Sequence, residues 1–78
     1  MKSFEEIIDH CAKTIFALSH DVKNTKEIAT QRAAIAEAGM MVVLVRVFED
    51  RDRVVIQEAI HKRFLEIRDE MYTMIKPQ

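Results

Sequence analysis

The chain has little that bends it. Its 78 residues include one glycine, Gly39, and one proline, Pro77, whereas a fold of many short strands needs turn-forming residues about every ten positions. Few breaks mean long elements. Cysteine is equally scarce: Cys11 stands alone, which excludes a disulfide within the chain and, with no secretory pattern, points to a reducing compartment. The opening Met1-Lys2-Ser3-Phe4-Glu5-Glu6 turns acidic where a signal peptide needs an apolar core. The longest uncharged apolar stretch runs from Ala38 to Val45, far short of the roughly 18 residues of a membrane-spanning candidate. The expectation is a soluble, cytoplasmic protein with no membrane contact. Charge of one sign is lacking too: twelve Lys and Arg against thirteen Asp and Glu leave a net −1, so no global field draws in nucleic acid or an anionic surface.

A chain this short is one domain, residues 1–78, and buries only about 60% of the surface its unfolded form exposes. Without disulfides, it needs very regular packing, a metal, or association with a copy or partner.

The elements that are present are helical. Ser3 followed by Glu6 is a capping box, in which hydroxyl and carboxylate each satisfy an otherwise orphaned backbone N–H. From there Phe4, Ile8, Cys11, Ile15, Leu18 and Val22 step by four and three, one apolar seam on a helix reaching Val22. Residues 21–25 form the connection, with Asn24 as the next N-cap and Glu27 three residues on. A second helix follows, on which Ala29, Ala33, Ala36, Met40, Val43 and Val47 form a seam. Ile28, Ile35 and Val42 recur every seven residues on a neighbouring stripe. The small side chains of the first half, with Gly39 beside them, allow another helix to come close.

Between Met40 and Phe48 only Arg46 is polar, so as a helix this segment is apolar on every side. Two neighbouring helices flank roughly two-thirds of such a helix, and the rest must meet a second molecule or remain an exposed patch. The rival is a strand, with residues 41–57 forming a hairpin and the protein becoming α+β. Against it, the turn Glu49-Asp50-Arg51-Asp52 lacks the Asn-Gly chemistry of tight hairpins. Read as helix, the tetrad is a connection with Asp50 or Asp52 as N-cap. Ile56, Ile60, Phe64, Ile67, Met71 and Met74 then stripe a third helix that ends before Pro77.

Reactive constellations are weak. Glu58-Ala59-Ile60-His61 has the Glu-x-x-His spacing of di-iron bundles, but such a site needs a second copy and two further carboxylates. His10 and Cys11, adjacent on a helix, point about 100° apart, which defeats a Cys-His pair. Phosphate loops, Ser-His-Asp sets and paired-cysteine zinc patterns are missing. The expectation is no enzyme activity, no metal and no cofactor. Arg46, Arg51, Arg53, Arg63 and Arg68 suggest a DNA-binding regulator, but from Glu49 onward six basic residues meet seven acidic ones, which opposes counterion release.

The expected architecture is all-α: an antiparallel bundle of helices over 3–22, 25–48 and 51–75, associating as a homodimer through the central helix. Contact with a second polypeptide is placed on Met40, Met41, Val43, Leu44, Val47, Phe48 and Met74. The expected role is a non-catalytic regulator, adaptor or inhibitor acting through apolar helix faces. The alternatives are a small dimeric DNA-binding transcriptional regulator and an enzyme whose site forms between subunits.

Overall fold

The computed structural model describes residues 2–75, except for the side chain of Ile75. The reading that Pro77 ends the last helix falls outside them. Three helices follow one another: α1 (Phe4–Ser19), α2 (Lys26–Val47) and α3 (Arg53–Ile75). Each packs on the other two, and there is no strand among the described residues. The hairpin alternative for 41–57 is thereby corrected: α2 runs unbroken to Val47 and only residues 48–52 form the turn.

The helix starts follow from capping chemistry. Ser3 Oγ accepts from Glu6 N–H and the Glu6 carboxylate accepts from Ser3 N–H, both at 3.2 Å, the reciprocal box expected. At α2 the cap is Thr25, whose hydroxyl accepts from Ile28 N–H at 3.2 Å, and not Asn24. At α3, Asp52 accepts from Val54 N–H at 2.8 Å, the second of the two candidates.

Asn24 does something else. It is buried and ties the α1–α2 connection to the far end of α3. Its amide donates to the Ser19 carbonyl at 3.2 Å, and its side-chain oxygen accepts from the Tyr72 hydroxyl at 2.7 Å. The same hydroxyl lies 3.3 Å from His20 Nδ1, and the His20 ring stacks on Phe16. At the opposite end Phe4 meets Phe48 edge-on at 4.9 Å, and the Arg51 guanidinium lies 3.9 Å over the Phe4 ring. Both loops are therefore pinned by aromatic contacts.

The core runs between these pins: Ile8, Ala12, Ile15 and Phe16 from α1, Ala29, Ala33, Met41 and Leu44 from α2, Ile56, Ile60, Phe64 and Ile67 from α3. Two seams differ from the sequence pattern. On α1 the buried line turns through Ala12, Phe16 and Ser19, leaving Leu18 exposed, and Val22 lies past the helix end. A 3.5-residue pattern drifts across a helix of 3.6 residues per turn, so its last member leaves the contact face. On α2 the line passes through Glu37, Met41 and Leu44, with Val43 and Val47 outside. Glu37 is tolerated there because both carboxylate oxygens lie 3.2 Å from Nδ1 of His61 on α3.

α2 and α3 run antiparallel, stitched by Lys26–Asp69 at 3.1 Å and Arg68 to the Thr30 hydroxyl at 2.9 Å, besides Glu37–His61. α1 joins α3 through Asp9 and Arg63 at 2.6 Å. Both inner faces of α2 are thus covered, and its outer face has no neighbour among the described residues.

Candidate protein-interaction surface

The outer face of α2 is apolar where a solvated helix would be charged. Ile35 is 79% exposed, Val42 61%, Val43 58% and Val47 55%, with Ile28 half out at the start of the helix. At about 100° per residue, Ile28, Ile35 and Val42 fall opposite Ala33, Glu37 and Leu44, Val43 lies on their flank, and Val47, on the last turn, extends the strip round toward Leu44. Gly39 lies in the middle of them, exposed and fully helical. A Cβ built there meets nothing within 4 Å, so no contact inside the chain requires glycine. Mid-helix glycine costs roughly 0.5–1 kcal/mol against alanine. Nothing in the bundle's own packing returns that stability.

Exposed apolar residues occur singly on most proteins, but a contiguous strip is informative. The four side chains from Ile35 to Val47 leave on the order of 400 Å² of apolar surface in water, the scale of a functional patch. Charge enters the strip only through Arg32 and Arg46, with Glu49 and Asp50 just past the cap residue Phe48.

The seven residues expected to meet another chain separate into groups. Met41 and Leu44 point into the chain's own core, at 5% and 3% exposure. Met40 and Phe48 are half-buried against it. Val43 and Val47 lie on the outer strip. Met74 is 71% exposed, but it sits two residues beyond Tyr72, at the end of the molecule where Asn24 is pinned. Val47, next to the Phe4–Phe48 contact, sits at the other end of a body 42 Å long. The fold does not bring Met74 to the strip. Ile35, Gly39 and Val42 belong to it instead, and their sequence signal was the seven-residue recurrence of Ile28, Ile35 and Val42.

No family model, curated protein or solved structure matches the chain. The surface therefore has to be weighed on its own chemistry.

His61 of the Glu-x-x-His motif turns to Glu37, and no group of three or more His, Cys, Asp or Glu suited to a metal occurs among the described residues. Cys11 is half-buried, and burial pushes its thiol up from the ordinary range, away from the thiolate that reactivity needs. An open depression of about 420 Å³ between α2 and α3 is lined by Glu37, Arg53, Gln57 and His61, and the carboxylate and imidazole there already satisfy each other.

Three of the five arginines that suggested nucleic acid make contacts within the chain. Arg63 bonds Asp9 and Glu66, Arg68 bonds Asp69 and Thr30, and Arg51 covers Phe4. The hydrogen bonds from Lys13 and Arg63 hold the Asp9 carboxyl below the usual range, and those from Arg68 and Lys26 do the same for Asp69.

α2 is also long and apolar enough, by length and composition, to cross a membrane. Crossing would break its packing on α1 and α3 and place Glu37 in hydrocarbon, where a carboxylate near the centre of a span costs about 2.5–3.5 kcal/mol.

Proposed function

We propose that this protein is a small non-catalytic interaction module that regulates, bridges or blocks another polypeptide through the outer face of α2. The observation that carries this reading is the strip from Ile35 to Val47, apolar and uncovered by the chain's own helices. A helix presenting such a face recognises its target by shape and apolar area, as amphipathic helices do in apolar grooves. No reactive group is required. The two sides of α2 divide the work: Ala29, Ala33, Met41 and Leu44 hold the bundle together, and Ile35, Val42 and Val43 meet the partner, with Val47 at the edge of the face.

The test is site-specific photocrosslinking in the native host, with a benzophenone side chain replacing Val42 and, as a control, Glu58 on the outer side of α3. The expected result is a discrete crosslinked polypeptide at position 42 and none at 58. Absence of any polypeptide adduct at 42, or equal labelling at both sites, removes the reading. A polarisation titration against duplex DNA runs beside it. Tight, salt-sensitive binding there would move the assignment to a nucleic-acid regulator.

A further inference from the structure

We infer that the outer face of α2 is closed by a second copy of this chain, with the two α2 helices antiparallel and Val42 of each copy resting on Gly39 of the other. This rests on the interaction reading above and names the partner.

Spacing is the first support. Along the outer face Ile28, Arg32, Ile35, Gly39, Val42 and Arg46 step by four and three throughout, the seam by which two helices pair over several turns. Seams of this kind ordinarily carry a large apolar residue at every layer. Here the layers alternate: Ile28, Ile35 and Val42 are large, and the positions between them are Arg32, Gly39 and Arg46. An alternating seam does not pack on a parallel copy in register. That arrangement sets Arg32 against Arg32 and Arg46 against Arg46, and leaves a void where Gly39 faces Gly39. Turning one copy end for end sets large layers against small or long-stemmed ones. Val42 then lies over Gly39, where the missing Cβ leaves room. The apolar stem of Arg46 covers Ile35 with its charged head in water.

Charge is the second support. In the same register Arg32 of one copy lies beside Glu49 of the other, twice by symmetry, as an isologous interface requires. Among the described residues neither Arg32 nor Glu49 takes part in an ion pair within its own chain. The seam itself offers Ile28, Ile35 and Val42, the flanking Val43 and the arginine stems, which falls short of the ~800 Å² per partner of a standard interface. Weak, reversible self-association is the expectation.

Sedimentation velocity on the full chain from about 1 to 500 μM is the experiment, with a Kd on the order of tens of micromolar expected. The weight-average mass should rise from 9.1 kDa toward twice that value. Arg32→Glu or Glu49→Arg alone should raise Kd roughly five- to twenty-fold, since each sets like charges together at both ends. The double variant Arg32→Glu/Glu49→Arg should return it to within about two-fold of wild type. Gly39→Leu should raise Kd at least about ten-fold while helix content and thermal midpoint hold or increase, because the new side chain enters open space in the single copy.

A double variant as weak as the single ones, or a Gly39→Leu protein that associates like wild type, overturns the antiparallel register. Wild type remaining at 9.1 kDa throughout overturns the second copy as partner. With the photocrosslink at 42 to a different polypeptide, that last outcome leaves the interaction reading standing. With no adduct at 42, both fall. Flotation with phosphatidylcholine–phosphatidylglycerol vesicles that is lost in Val43→Asp would assign the face to lipid and also overturn the proposal.

Discussion

Tyr72 is the only tyrosine in the chain, so its ionisation can be followed directly by phenolate absorbance. Burial, and after it the negative charge of Asp21, pushes its phenol above the ordinary value of 10. The folded state thus holds the phenolic proton more tightly than the unfolded chain does. The stability tied to that proton is complete below pH 10 and is lost as pH rises through the folded-state value. Titration should show phenolate appearing later in the folded protein than in urea, with loss of helical signal accompanying it. Tyr72→Phe should abolish this alkaline step. It should also lower stability at neutral pH by about 1–2 kcal/mol in urea denaturation, because the buried Asn24 loses its 2.7 Å partner. Coincident folded and unfolded titrations would show that the Tyr72 hydroxyl is solvated and the pin is not formed. The sequence reached the capping box at Ser3 because both partners lie within one turn. It missed Tyr72 with Asn24, and Glu37 with His61, because those pairs span 48 and 24 residues and no local spacing marks them.

At the scale of elements, the three helices were legible from cap residues and from the lack of glycine and proline, but the rotation of α2 was not. Where Met40 to Phe48 is apolar all round, pattern alone leaves the inward side undetermined. The orientation is fixed by Glu37, which turns toward His61, and by Ala29 and Ala33, which allow close approach. Two substitutions of one chemical kind should therefore separate. Leu44→Asp puts a carboxylate into the core and should unfold the chain, at a cost above about 3 kcal/mol. Val43→Asp, one residue earlier but on the outer side, should keep helix content and change stability by less than about 1 kcal/mol. Circular dichroism during denaturation distinguishes them, and equal losses would mean that α2 is rotated from the orientation described. The Glu37–His61 pair gives a second check on the same element. The His61 side chain is about half exposed, so it returns to water when its partner is removed. Glu37→Met should leave stability unchanged or raise it by up to about 2 kcal/mol. A loss beyond 2 kcal/mol would make the pair a structural tie.

At the scale of the whole molecule, folding and association are coupled by mass action. Seventy-eight residues with no disulfide among them have a small margin of stability, and anything that binds only the folded form enlarges it. If the α2 faces of two copies close on each other, the thermal midpoint must depend on protein concentration. At a concentration ten-fold above Kd the gain is about 1.4 kcal/mol, which for a domain of this size corresponds to a shift of about 5–10 °C. Scanning fluorimetry or calorimetry at about 5 and 500 μM should show that shift for wild type and a flat response for Val43→Asp, whose carboxylate must be desolvated to pair. Gly39→Leu gives the sharper comparison, because it should melt no lower than wild type in dilute solution and yet gain clearly less than wild type on concentration. A wild-type midpoint independent of concentration would place the whole stability of the protein inside one copy, and the strip from Ile35 to Val47 would then have to be explained by a partner of different sequence.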